Sequence, residues 1–360
     1  MPTTLTTVAR RAGVSTSTAS RALTGHPAVD PTTRQRVEAA AAALDYHPNR
    51  MATALRTRRS GLIGLVVTNL RTATFHAIAE TLQARAAEHG QQVLVCTTGG
   101  DPAREAAFLD TVRAHGLDGV VVAGSGANGR LVNALVAEGR AVVLMNREVA
   151  GARAPSVMSD YVTAARLATE HLLDLGHTRI GVVGAPPEVT SGRLHHEGFT
   201  AAMAAAGVPV AGSLVRRGPF RARFGNEAAA ELLDLPDPPT ALLVSNHEAS
   251  FGVLAVLSGR AVDVPRELSL VCTEDEPFWE WWSPPVTVVD NRAAVLAERA
   301  ADLLLAQLAG TVAPAPVAER VAPALVLRGS TAPPARGGAP AQAATRQSTR
   351  DGSRDRPPSE

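Results

Sequence analysis

From Gly61 onward the chain repeats one pattern, a short run of Val, Ile and Leu followed by a stretch with helical periodicity. "GLIGLVVT" precedes a predicted helix over 75–89, and "QQVLVCTT" precedes one over 102–115. "LDGVVVAGS" and "AVVLMNR" follow. A second series begins near Asp160, with helices over 162–175, 192–206, 225–234 and 248–258 set among "RIGVVGA", "TALLVSN" and "LSLVCTE". "PVTVVD", a long helix over 292–309 and "RVAPALVLRGS" close it. Apolar runs without alternation are strands buried on both faces, as in parallel sheets flanked by helices. Two such series predict an α/β core of two doubly wound subdomains, with ligands at the carboxyl ends of the strands.

The first sixty residues read differently, as short helices. "TTVARRAG" carries apolar Val8, Ala9 and Ala12 and is broken by Gly13. "STSTASRAL" follows, with Ser15 placed to cap a helix. "VDPTTRQRVEAAAAALDY" opens with Asp30 as cap and Pro31 at the first helical position, and Val37, Ala40, Ala41 and Leu44 form one apolar face. The last thirty residues, Pro-, Ala-, Gly- and Arg-rich without periodicity, read as a disordered tail over 331–360.

Charge separates these parts. The formal net charge is only +1, yet residues 1–60 hold nine arginines against Asp30, Glu38 and Asp45. The tail is also basic, so residues 61–330 are acidic overall. A basic head on an acidic body suits a polyanion bound by the head alone. Two distant cysteines, Cys96 and Cys272, offer no disulfide framework and no metal spacing. The first residues lack the apolar run of a signal peptide, and no apolar stretch spans a membrane. The expected location is the cytoplasm.

The stretch from Thr4 to Val66, with its "VARRAGVSTSTASRAL" helix-turn-helix, its "YHPN" step and its "ATALR" hinge, resembles the DNA-binding head of the lactose-repressor (LacI) family. Less closely, the likeness runs through the core to "LVLRGS", about 330 residues in all. It implies an all-α helix-turn-helix head over 1–45 and a hinge helix and linker over 46–60. It also implies an effector-binding and dimerisation core over 61–330. That core would be two periplasmic-binding-protein-like subdomains, roughly 61–160 with 290–320 and 161–289 with 321–330.

A recognition helix needs short polar or basic residues at its start to reach base edges in the major groove. Thr16 and Ser17 stand there, with Arg21 one turn on; Ser15, Thr18 and Ser20 are expected at phosphates, with Asn49 from the "YHPN" step among the DNA contacts. The hinge is too short to be a stable isolated helix. The resemblance implies that it folds on DNA, with Leu55 wedged into a base step and Ala52 allowing close approach. Thr53 departs from the arginine common there. The expected partner is a near-palindromic double-stranded operator bound by a homodimer.

For the core the resemblance implies a cleft ligand, a sugar or related metabolite, touched by Asn69, Thr74, Asn146, Arg147, His195, Phe220, Asn246 and Glu274. Several depart from the family pattern. Asn69, Asn146, His247 and Glu274 stand where aspartates are usual, and His195 where an arginine is. In "TEDEPFWEWWSPP", Trp281 and Trp282 match positions near the dimer contact. Trp279 stays open between that contact and sugar stacking.

Other functions fit less well. A solute-binding protein shares the core but needs an export signal and no DNA head. An enzyme is disfavoured. Glu274, Asp275 and Glu276 are consecutive, and "HEASF" has Phe251 where a zinc helix has its second histidine. No catalytic residue, metal site or cofactor is expected. DNA binding without effector control stays open because of the altered pocket.

Overall fold

A computed structural model of the chain describes residues 4–47, 59–312 and 316–335. The head is three helices, α1 (Leu5–Ala12), α2 (Thr16–Leu23) and α3 (Pro31–Ala43). Each start is capped by its own sequence: Thr4, Ser15 and Asp30 accept from the backbone nitrogens of Thr7, Thr18 and Thr33. Gly13 ends α1 in the left-handed region at φ 66°, which costs glycine little. The head core is mostly alanine and valine (Val8, Ala9, Ala12, Ala19, Ala22, Val29, Val37, Ala40, Ala41), so the helices pack closely.

The core begins with β1 (Leu62–Val67), α4 (Ala73–Glu88), β2 (Gln92–Thr97), α5 (Pro102–Ala114), β3 (Gly119–Ala123), α6 (Gly129–Ala137), β4 (Ala141–Met145) and β5 (Ser156–Ser159). It continues with α7 (Tyr161–Asp174), β6 (Ile180–Gly184), α8 (Thr190–Ala205), β7 (Val215–Arg217), α9 (Ala222–Leu233), β8 (Ala241–Ser245), α10 (His247–Gly259) and β9 (Ser269–Thr273). The last elements are the single turn α11 (Phe278–Trp281), β10 (Thr287–Asp290), α12 (Ala293–Leu308), β11 (Ala318–Val321) and β12 (Ala324–Val326).

The strands form two six-stranded sheets, ordered β11-β5-β4-β3-β1-β2 and β12-β10-β9-β8-β6-β7. All pairings are parallel except β10 with β12. Both sheets repeat one winding, which places a topological switch point between β1 and β3 in the first and between β6 and β8 in the second. On the first sheet, Phe75, Ile78 and Leu82 of α4 and Leu296 and Leu304 of α12 cover one face, and Leu109, Val112, Val132 and Leu135 cover the other. On the second, Ala168 and Leu172 of α7 and Phe199 and Met203 of α8 cover one face, and α9 to α11 supply Leu232, Val253 and Trp279 to the other.

The chain crosses between sheets three times, after β5, after β10 and between β11 and β12. The first two crossings are stitched by a buried bond from Ser159 Oγ to Asn291 Oδ1 at 3.1 Å. "RVAPALVLRGS" is therefore two strands in different sheets, divided by Pro323, which has no N–H for a ladder. The helix α6 and the short strands β5 and β7 were not predicted; "GRLVNALVA" lies directly between two strong strand signals.

The tail expected to be disordered from 331 starts with packed residues. Ala332 N donates to Ser269 Oγ at 3.0 Å, and His177 Nε2 lies 2.8 Å from the Ala332 oxygen. Residues 331–335 thus continue the second subdomain. The expected DNA contacts Asn49, Ala52 and Leu55, and most of the 46–60 hinge, lie outside the described residues. No helix among the described residues is long and apolar enough to cross a membrane.

Candidate functional site

In the head, Ala19 and Ala22 turn inward and leave the opposite face of α2 to solvent. Thr16, Ser17 and Arg21 are exposed on it, and Thr18 and Ser20 are half-buried. Ser15 Oγ accepts from Thr18 N at 3.1 Å and lies 2.8 Å from both Ser17 Oγ and Thr18 Oγ1. Its first role is thus to start the helix, and a hydroxyl cluster at that start faces outward. Arg10, Arg11 and Arg36 are also exposed, so the head keeps its positive charge at its surface.

In the core, a cavity of roughly 680 Å³ lies between the two sheets. The lining comes from carboxyl ends of strands in both. Thr68 and Asn69 follow β1, Gly124 and Ser125 follow β3, Asn146 and Arg147 follow β4, and Glu274 follows β9. This is where doubly wound sheets hold ligands. The two halves are locally alike. Asn146 and Glu274 each follow the fourth strand of their sheet, and each is left-handed, at φ 58° and 68°. Each backbone nitrogen donates to the next strand, Asn146 to Val157 O at 3.0 Å and Glu274 to Val289 O at 2.9 Å. Asparagine tolerates that conformation; glutamate is held there against its preference.

Of the eight residues expected at a ligand, seven line the cavity: Asn69, Thr74, Asn146, Arg147, His195, Phe220 and Glu274. Asn246 does not. It is buried as the cap of α10, accepting from Ala249 N at 3.1 Å and donating to the Gly218 and Pro219 carbonyls. Its amide thus holds the start of α10 to the Gly218–Pro219 turn. The Arg147 guanidinium lies 5.6 Å from the Phe220 ring centre, a cation–π distance. Burial lowers its pKa, opposed by Tyr161, Glu248 and Glu105.

Several cavity groups are buried without partners: Asn146 Oδ1, His247 Nδ1 and Glu274 Oε2, while the His195 ring has at most a weak contact with the Ser191 backbone. Buried polar atoms are usually satisfied, and those left open in a cavity suit a polar ligand. Burial drops the His195 imidazole to about 4, so it is neutral near pH 7. It packs on Tyr161, ring centres 4.9 Å apart. Burial, then Glu276, Glu248 and Asp290, pushes the Glu274 carboxyl up to about 8. A protonated Glu274 can donate as well as accept.

Bonds between the two halves include Glu148 N to Thr190 Oγ1 at 3.0 Å and two more that lie at the cavity. Asn69 Nδ2 donates to Glu248 Oε1 at 3.2 Å, and Ala73 N donates to Glu276 Oε1 at 2.8 Å. Glu248, Glu276 and Tyr161 were not among the expected site residues. Asp275, in contrast, is held by Arg328 at 2.9 Å.

The tryptophans divide. Trp279 is in the core, fully buried, so neither interface nor sugar stacking describes it. Its indole N–H donates to the Glu274 carbonyl at 2.9 Å. Trp282 packs partly on the same apolar cluster, and Trp281 is 80% exposed.

The helix-turn-helix model of bacterial regulatory proteins of the lacI family matches residues 4–49, and a periplasmic binding protein-like domain matches residues 169–331. An HTH-type transcriptional regulator from the aml 5′ region of Streptomyces limosus is 35% identical over 91% of this chain and 94% of its own. The transcriptional repressor CytR of Escherichia coli K12 is 31% identical over 85% of this chain and 90% of its own. Among solved structures, the Lac repressor bound to ONPG in the repressed state superposes with a TM-score of 0.80 at 26% identity, covering 92% of this chain and all of the other. The regulator CelR with cellobiose gives a TM-score of 0.67 at 27% identity, covering 91% of this chain and all of the other.

Proposed function

The chain belongs to the LacI family of bacterial transcriptional regulators, which are not enzymes, and from that we propose that it is a repressor binding a palindromic operator as a homodimer. A small molecule in the cleft, a sugar or a related metabolite, controls it. The observation that carries this reading is the union in one chain of an exposed polar start on α2 with a cavity bridged from both subdomains. The first can reach base edges; the second can sense a ligand by how far the cleft closes.

A dimer is needed because one recognition helix reads too few base pairs for specificity. Apolar surface for it exists on the edge strand β2, where Leu94 and Val95 are exposed, and at Trp281. The reading places the protein in the cytoplasm, beside its DNA. A sugar suits the lining, where amide, guanidinium, imidazole and carboxyl groups meet the aromatic rings of Phe75, Tyr161 and Phe220. Similar proteins bind small molecules too: the regulator CelR forms a complex with cellobiose, and the Lac repressor is bound to ONPG.

Thermal-shift screening of small sugars, sugar phosphates and nucleosides against the full chain tests the cleft. A cleft ligand should raise the melting temperature of the wild type and lose at least about tenfold in affinity in Arg147→Ala, a loss near 1.4 kcal/mol. Operator affinity without ligand should be unchanged in that variant. A ligand that stabilises both proteins equally binds elsewhere.

A further inference from the structure

Three side chains converge on the second-subdomain wall of the cleft. His247 opens α10, Glu274 follows β9, and Glu276 lies two residues on. One donor atom from each lies within 4.8 Å of the other two. His247 is 5% exposed. Its Nδ1 has no partner, and its Nε2 meets only Glu276 Oε1, at 3.7 Å. That is beyond hydrogen-bond range. Glu274 Oε2 is also buried without a partner. The imidazole is not loosely placed: Phe251 packs edge-on against it, ring centres 5.3 Å apart, and Phe278 lies at 6.5 Å. A fixed, buried imidazole with an open nitrogen thus faces two carboxyl groups, one of them with an open oxygen, and no group of the protein among the described residues bonds to all three.

We propose that His247, Glu274 and Glu276 form a binding site for one divalent transition-metal cation of the zinc type. One imidazole and two carboxylates are suitable donors for it, at about 2.0–2.2 Å each. Tetrahedral binding would set donor atoms roughly 3.4 Å apart, so side-chain rotations of about 1 Å close the present spacing. Calcium and magnesium are disfavoured, because they take six or more oxygen ligands and this cluster offers three donors, one of them nitrogen. Helix α10 alone is no zinc helix, since Phe251 occupies the second histidine position. The other two donors come instead from the end of β9 and the loop after it.

Three protein ligands leave a position open. His247 and Glu274 both line the cavity, so that position is available to a hydroxyl or carboxylate oxygen of a cleft ligand. Glu276 also holds Ala73 across the cleft, so the cation would sit beside a contact that closure makes or breaks. These two consequences rest on the effector reading; metal binding itself does not.

The test is calorimetric titration of the untagged, metal-free full chain with Zn²⁺, repeated with Co²⁺ and visible absorption. The expected result is one ion per chain and a low-symmetry Co²⁺ d–d spectrum that Zn²⁺ abolishes. His247→Ala and Glu274→Gln should each weaken binding by at least about tenfold, while His196→Ala should not. If His247→Ala does not fold, Glu276→Gln and the wild-type Co²⁺ spectrum carry the test. Absence of stoichiometric binding overturns the proposal, as does binding that His247→Ala and Glu276→Gln leave intact. An operator response to a sugar in metal-free protein would leave the effector reading standing in either case.

Discussion

The indole nitrogen of Trp279 donates to the carbonyl oxygen of Glu274 at 2.9 Å, tying a core side chain to the turn that presents a cavity carboxyl. The backbone of Glu274 is left-handed, and its nitrogen is held by Val289 O. A residue kept in this conformation needs contacts on both sides. Trp279→Phe removes one of them and leaves a carbonyl without its donor. Urea unfolding should show a loss of about 1–3 kcal/mol from that bond, with a cavity contribution on top. Trp281→Ala, at an exposed position, should change chain stability by no more than about 0.5 kcal/mol. If Trp281 lies at the dimer contact, its loss will show as weaker self-association in sedimentation equilibrium.

Stability should fall in mild acid, in part through His195. Its folded pKa, about 4, lies below the ordinary value of 6.5. Between those values the unfolded chain binds a proton that the folded chain refuses. Stability from this group is therefore full above pH 6.5 and is lost as pH falls toward 4, on the order of 3 kcal/mol in total. The nearest ring, Tyr161, stays neutral throughout, since burial pushes its hydroxyl upward. His195→Gln should flatten the pH dependence of urea stability across this window. An unchanged slope would mean that His195 titrates normally.

Helices α9 and α10 should resist any added side-chain volume at their crossing. A Cβ on Gly252 would collide with the Ala222 carbonyl oxygen, and one on Gly225 with that of Ala249. Backbone cannot yield as a side chain can. Gly252→Ala should cost roughly 1–3 kcal/mol or more, although alanine is the better helix former. Gly259→Ala, with open space around it, is the control and should be near neutral or stabilising.

At the DNA, Thr16→Ala and Ser17→Ala should relax sequence preference at one position per half-site, at about 1–3 kcal/mol each. Ser15→Ala should act differently. It removes the cap of α2, costing about 1 kcal/mol of head stability, and weakens binding to all sequences alike. Wild-type affinity should fall with salt at a log–log slope of about −0.9 per phosphate neutralised. Competition between operator variants at two salt concentrations separates these effects.

How far the sequence revealed the molecule depended on distance along the chain. Fully apolar strands such as "GVVVA" and "ALLVS" announce themselves, as do caps such as Ser15 and Asp30, because their causes are local. β7 is only three residues long, and α6 was masked by its neighbours. The cavity residues Asn69, Arg147, His195 and Glu274 were legible through family likeness. Asn246, in contrast, caps α10 and is not among the residues lining the cavity, which family likeness does not reveal. Glu248 and Glu276 were not legible. Their partners Asn69 and Ala73 are about 200 residues away, and only the folded cleft brings them together. Trp279 could not be sorted from Trp281 without knowing that one turn of helix points the first inward and the second out.

The most direct measurement is selection of genomic fragments with the purified chain at moderate salt, followed by footprinting of the best site. The expected result is an enriched inverted repeat, protected symmetrically, whose occupancy changes when a sugar or related metabolite from the adjoining genes' pathway is added. No enriched sequence, or a one-sided footprint, would contradict a dimeric operator-binding repressor.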